Sequence, residues 1–204
     1  MFSGIVQGYT QLVNIKKKNK YLTYVFKFKE DQVKNLNLGN SISHNGCCLT
    51  VSNINKNFIS FDIISETLNF TNLKFLKIGE YTNFERASKF NDEIGGHIVS
   101  GHIMTMVKIK KVINDEKEYA IWVTVLNSKV MQFILHKGFI CLDGMSLTIA
   151  KIKKNDFCVH IIPETLRLTT IGSKKKDDFL NLEVDYFTQI VITTISRFKK
   201  QKNL

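Results

Sequence analysis

The chain repeats itself, and that fact limits its possible architecture more than any other. Residues Gly39–Leu73 align without a gap on Lys137–Ile171 at a constant offset of 98, and thirteen of the 35 pairs are identical. Unrelated segments would share about two or three. The shared residues include Gly46 with Gly144, Leu49 with Leu147, Thr50 with Thr148, and the run Glu66, Thr67, Leu68 with Glu164, Thr165, Leu166. The same offset pairs Asn83 and Glu85 with Asn181 and Glu183, while Ser3 and Gly4 pair with Ser100 and Gly101 at offset 97. Each half is therefore expected to be one small domain.

Within a half the pattern is strand after strand. Thr23–Lys29, Ile42–His44, Leu49–Ile54 and Phe58–Ile64 are short, rich in β-branched or aromatic residues, and several alternate. Asn45-Gly46 and Asp143-Gly144 occupy the same place in each copy. Both central residues of a type I′ turn need positive φ, which these pairs tolerate, so each marks a tight hairpin. About six short strands must bury one face, and closing the sheet on itself removes its edges. The expected fold is all-β, with two similar small barrels. After Asp185, Phe187, Ile190, Val191, Thr194, Ile195 and Phe198 fall at helical spacing, with a basic end suited to a helix C-terminus. The expected partition is a first barrel over 1–96, a second over 97–186, and an amphipathic helix over 187–204. A helix outside both repeats has no core of its own to join, which favours a homo-oligomer.

Composition narrows the function. A hydrophobic share of 44% with 15 Phe excludes a disordered chain. The net charge of +11 comes from Lys far more than from Arg, which occurs only at Arg86, Arg167 and Arg197. Arg supplies the bidentate contacts that sequence readers favour, so no nucleic-acid partner is expected. The first charged residue is Lys16, and no apolar run approaches the ~20 residues that span a bilayer. Neither a secretory leader nor a membrane partner is expected. Cys47, Cys48, Cys141 and Cys158 form no CxxC pair, which suits free thiols in a reducing cytoplasm. His97 and His102 lie five apart, opposite faces of a strand and off the i, i+4 face of a helix, so no metal is expected. Gly95-Gly96 and Gly101 do not form a dinucleotide-binding GxGxxG.

Five segments in order, MFSGIVQG, SHNGCCLTV, DEIGGHIVSGHI, KGFICLDGMSLT and IIPETL, together span most of the chain. In them the chain resembles the riboflavin synthase family, alpha-chain type. The resemblance implies two tandem six-stranded Greek-key barrels related by duplication and a C-terminal helix that assembles a homotrimer, with sites at subunit interfaces. It implies a cytoplasmic enzyme, with no bound cofactor or metal, that dismutates two molecules of 6,7-dimethyl-8-ribityllumazine to riboflavin and 5-amino-6-(D-ribitylamino)uracil. Association with a lumazine synthase shell is left open.

Carried over by resemblance, the first-barrel site comprises Gly4, Ile5 and Val6, then Cys48, Leu49 and Thr50, then Asp62, Ile63, Ile64, Ser65, Glu66 and Thr67. The second-barrel site comprises Gly101, His102 and Ile103, then Ser146, Leu147 and Thr148, then His160, Ile161, Ile162, Pro163, Glu164 and Thr165, with Lys137 reaching across from a neighbouring subunit. Read without the resemblance, Thr50 and Thr148 are strand threonines, Glu66 and Glu164 helix-capping carboxylates, and Cys48 a small buried apolar residue.

Positions that differ between halves are candidates for chemistry, because a reaction between two identical substrates needs asymmetry. Cys48 faces Ser146, Ile5 faces His102, Asn45 faces Asp143 and Asp62 faces His160. On this reading His102 shuttles the proton of the acidic ring methyl, Ser146 and Thr148 stabilise the developing anion, and Cys48 and Phe2 shape the acceptor side. The rival reading is a non-catalytic lumazine- or flavin-binding protein on the same fold.

Overall fold

The computed structural model describes residues 1–202. Its first half forms a closed barrel of β1 (Gly8–Lys17), β2 (Tyr21–Lys27), β3 (Ser41–His44), β4 (Cys47–Asn55), β5 (Phe58–Ile64) and β6 (Tyr81–Arg86), in the order β1-β2-β5-β4-β3-β6. Three consecutive antiparallel strands, β3 to β5, with β6 returning beside β3, make a Greek key. The second half repeats the order with β7 (Thr105–Asn114), β8 (Tyr119–Val125), β9 (Phe139–Leu142), β10 (Met145–Lys153), β11 (Asp156–His160) and β12 (Phe179–Val184). Short helices α1 (Ser65–Phe70) and α2 (Pro163–Leu168) follow β5 and β11, and α3 (Tyr186–Lys202) follows the last strand. The all-β, two-barrel expectation holds.

The hairpin turns follow the chemistry read from the sequence. Asn45 and Gly46 have φ of 46° and 80°, and Asp143 and Gly144 have 44° and 85°. Both turns are therefore type I′, the form whose twist matches the flanking strands. Inside each barrel the inward positions interdigitate. Leu12, Phe26, Ile42, Ile59 and Phe61 fill the first barrel, and Ile109, Ile121, Val123, Ile149 and Phe157 the second. The first core also contains a polar pair where the second has two leucines. His44 Nδ1 lies 3.0 Å from Thr82 Oγ1, with the imidazole stacked on Phe26 at 4.1 Å between centroids. At the corresponding places stand Leu142 and Leu180, both fully buried.

The barrels meet along a pseudo-twofold seam whose hydrogen bonds come in reciprocal pairs. Asn83 Nδ2 donates to the Asp143 carbonyl (2.9 Å) and Asn181 Nδ2 to the Asn45 carbonyl (2.8 Å). The Asn72 amide donates to Asn181 Oδ1 (2.6 Å), as the Thr170 amide does to Asn83 Oδ1 (2.7 Å). Buried amides satisfied only by the other half make the two barrels one unit. Between them, Phe2 and Val99 exchange both backbone hydrogen bonds, 2.8 and 3.0 Å, as an isolated antiparallel bridge.

The final helix packs little of itself. Asp185 accepts from the amide and hydroxyl of Thr188 at 2.8 and 2.7 Å, capping its start. Phe187, Ile190, Val191, Thr194, Ile195 and Phe198 are all exposed. No helix among the described residues is long and apolar enough to cross a membrane.

Candidate active site

The second barrel carries a hollow of about 370 Å³ lined by Lys137, Ser146, Leu147, Thr148, Ala150, His160, Ile162 and Thr165. Six residues that the resemblance selected from two separate segments thus meet with Lys137 in one place. Strand alternation explains the β10 part: Leu147 points into the core while Ser146 and Thr148 face outward. β11 ends at His160, whose Nδ1 lies 3.2 Å from Glu118 Oε2. Ile161 turns inward to the core, Ile162 is exposed, and Pro163 opens α2. Glu164 does not cap that helix with a hydrogen bond but accepts two from Arg167, at 2.9 and 2.5 Å. Lys137 adopts φ of 64° with its amide bonded to the Ile149 carbonyl, and its own chain's hollow includes it.

The first barrel presents the matching face. Cys48 is half-buried, Leu49 buried and Thr50 exposed along β4. Asp62 accepts from Thr23 Oγ1 at 2.7 Å. Ile63 is buried and Ile64 exposed, and Ser65, Glu66 and Thr67 open α1, again without a side-chain cap.

One grouping expected from the sequence is overturned. The Gly4–Val6 segment packs on the second barrel, and the Gly101–Ile103 segment on the first. Gly4 carbonyl accepts from the Ser146 amide (2.7 Å), and Gly101 carbonyl accepts from the Cys48 amide (2.9 Å). A Cβ on Gly4 would stand 2.6 Å from Ser146 Cβ, and one on Gly101 2.5 Å from Cys48 Cβ. Val6 belongs to the second barrel's core, and Ile103 packs against the first. His102 accordingly sits beside the Cys48 face of its own chain, and Ile5 beside the Ser146 face. The swap is physically simple: residues 2 and 99 pair at the pseudo-twofold, so each segment leaves its bridge heading to the opposite barrel.

A buried carboxylate holds each crossing segment. Glu85 accepts from Ser3 N (2.6 Å), Ser3 Oγ (2.7 Å) and Gly4 N (3.0 Å). Glu183 does the same for Ser100 N, Ser100 Oγ and Gly101 N at 2.6, 2.7 and 3.0 Å. Burial pushes both carboxyls above their ordinary range, opposed by those hydrogen bonds. Phe2 is buried against Val99, Cys141 and Cys48, directly behind the Cys48 face. Cys47 is pushed up to about 12 by burial, and Cys141 well up for the same reason, so neither is a nucleophile.

His97 was missed as a site residue. Its Nδ1 lies 2.7 Å from Ser146 Oγ and its ring stacks on Phe139 at 5.1 Å and 14°. The available signal was negative: at offset 97 its counterpart would precede Met1, so comparison between halves says nothing about it. Among the described residues no group of three or more His, Cys, Asp or Glu is placed to hold a metal. A larger cleft of about 660 Å³ lies at the seam beside Asn45, Asn72 and Thr170, but contains none of the residues selected by resemblance.

Comparison with known proteins agrees with this geometry. The lumazine binding domain model matches twice, over residues 3–87 and 100–185. Riboflavin synthase of Escherichia coli (strain K12) is 49% identical over 197 residues, covering 97% of this chain and 92% of that protein. That of Buchnera aphidicola subsp. Schizaphis graminum (strain Sg) is 49% identical over 201 residues, covering 98% and 97%. That of Chlamydia pneumoniae is 35% identical, covering 97% and 96%. Among solved structures, LumP complexed with riboflavin superposes with a TM-score of 0.82 at 26% identity, covering 90% of this chain and 99% of that one. With two lumazine-binding repeats, two equivalent faces joined by a reciprocal swap, and near full-length identity to these enzymes, the chain belongs to the riboflavin synthase family.

Proposed function

We propose that this protein is a transferase that converts two molecules of 6,7-dimethyl-8-ribityllumazine into riboflavin and 5-amino-6-(D-ribitylamino)uracil. The observation that carries the proposal is the pair of equivalent faces, each built from a strand pair, a short helix and a crossing segment. One presents Ser146, Thr148 and His160, the other Cys48, Thr50 and Asp62. Two similar faces suit two identical substrates, and their differences suit two unequal roles.

In the reaction one lumazine gives up a proton from its ring methyl, and the resulting carbanion attacks the second. A four-carbon unit then passes across, so what one ring loses the other gains. Holding two flat rings together makes the bimolecular step effectively unimolecular. We assign His102 to methyl proton transfer beside Cys48, and Ser146 and Thr148 to stabilising charge on the opposing ring. Phe2 supports Cys48 from behind. Leu49, Ile64, Leu147 and Ile162 would pack the rings, while Glu66, Thr67, Glu164, Thr165 and Lys137 would meet ribityl hydroxyls.

The two faces of one chain belong to different barrels, so ring-to-ring approach calls for a second copy. The exposed apolar stripe of α3 supports a homotrimer in which helices pack together and a first-barrel face meets a neighbour's second-barrel face. The free cysteines support a cytoplasmic protein.

The likeness to LumP favours a second reading, a lumazine- or flavin-binding carrier. One experiment separates them: purified protein is mixed with 6,7-dimethyl-8-ribityllumazine alone and riboflavin absorbance is followed. One riboflavin formed per two lumazines supports the transferase, and tight binding without turnover supports the carrier.

A further inference from the structure

Resting on that proposed function, we infer that His97 is a positioning residue that holds the Ser146 hydroxyl as a hydrogen-bond donor aimed into the substrate hollow. The His97 amide donates to the Ser3 carbonyl at 3.0 Å, and the imidazole lies flat on Phe139. Its position depends on the preceding residue. A Cβ on Gly96 would lie 2.2 Å from the Ser3 carbonyl oxygen and 2.7 Å from Ser146 Cβ, so only glycine lets the chain press this close.

The hydrogen-bond inventory decides the tautomer. Nδ1 faces Ser146 Oγ at 2.7 Å, whereas Nε2 is buried with no partner. Leaving an N–H buried and unpaired is costlier than leaving a bare lone pair so placed. The proton therefore sits on Nδ1 and donates to Ser146 Oγ. Burial also lowers the imidazole pKa against the opposing charge of Asp185, which keeps the ring neutral. With its oxygen occupied as acceptor, the Ser146 O–H is left to donate outward, into the hollow it lines. A donor fixed before the reaction acts on charge that develops during it. At the equivalent place on the other face stands Cys48, whose thiol is a weaker donor than the Ser146 hydroxyl, so the two faces are unequal.

The test is steady-state turnover of the intact protein with 6,7-dimethyl-8-ribityllumazine. His97→Leu is expected to lower kcat about tenfold or more with KM within about twofold, and His97→Asn, whose amide can donate from the Nδ1 position, to recover to within about threefold. Ser146→Ala should lose as much as His97→Leu, and the double variant no more than either. Wild-type kcat in a folded His97→Leu protein, or losses that multiply in the double variant, overturns the inference. If His97→Leu does not fold, ¹⁵N imidazole shifts of the wild-type protein decide: a protonated Nδ1 is expected, and a protonated Nε2 overturns the assignment. A wild-type protein that forms no riboflavin refutes the proposed function instead, and the tautomer measurement stands apart from that outcome because it needs no substrate.

Discussion

Gly46 and Gly144 face each other across the seam so closely that a Cβ on the first would lie 2.8 Å from the Gly144 nitrogen, and one on the second 3.0 Å from the Gly46 nitrogen. Both also need positive φ, at 80° and 85°. The hairpin glycines thus serve two ends, turning each hairpin and letting the barrels touch. Gly46→Ala and Gly144→Ala are each expected to destabilise the fold by about 2–4 kcal/mol, combining backbone strain with overpacking. Denaturant titration checks this, and a change under about 0.5 kcal/mol would show that the seam yields.

Asp143 carries an orphan oxygen at that seam. Its Oδ1 accepts from Asn72 Nδ2 and from the Asn181 amide, while Oδ2 is buried with no partner. Burial raises its pKa from 3.8 to about 6, with Lys174 opposing. The folded state then holds a proton that the unfolded state has released, so stability falls as pH rises from about 4 to about 6 and stays lowered above. Asn45 occupies the equivalent place in the first half. Asp143→Asn should therefore gain about 1 kcal/mol over wild type at pH 8 and little at pH 4, measured as the difference between two unfolding series.

His44 works in the other direction. Complete burial lowers its pKa to about 3. As pH falls below about 6.5 the unfolded chain takes up a proton that the folded barrel refuses, and stability drops by about 1.4 kcal/mol per pH unit until about pH 3. The second barrel shows the apolar alternative, Leu142 and Leu180, at the positions of His44 and Thr82. The double variant His44→Leu, Thr82→Leu should flatten the stability profile between pH 6 and pH 4, and an unchanged slope would place the acid-sensitive group elsewhere.

Phe2 is 3% exposed although it is the second residue of the chain. Its backbone bridges Val99 and its ring lies behind Cys48 and Gly101. Phe2→Ala should cost about 3 kcal/mol of packing and let both crossing segments loosen. Turnover is expected to fall by well over tenfold, and residues added before Met1 should impair it too. Wild-type turnover in Phe2→Ala would remove the bridge from the site's support.

Ending the chain after Asp185 removes α3 and its exposed apolar stripe while sparing every barrel strand. Sedimentation should then find monomers that still bind lumazine weakly but form riboflavin far more slowly. A truncated chain that remains a trimer would exclude the helix as the assembly element.

The sequence by itself determined the duplication, the two type I′ hairpins, the strand pattern and the exposed apolar helix, because each is written in local periodicity or in backbone demands at single residues. Asn45-Gly46 is an example: the required φ is a property of the dipeptide, and no partner is needed to read it. The tertiary structure alone decided which barrel each crossing segment serves. Pairing Gly4 with Cys48 or with Ser146 leaves the same residues matched at the same offset, so a repeat cannot distinguish its own swapped and unswapped forms. Only the packing of Gly4 on Ser146 and of Gly101 on Cys48 does so. The role of His97 was hidden for a related reason: its partner, Ser146, is 49 residues away on a strand of the second barrel, and the contact exists only once Gly96 has brought the two backbones together.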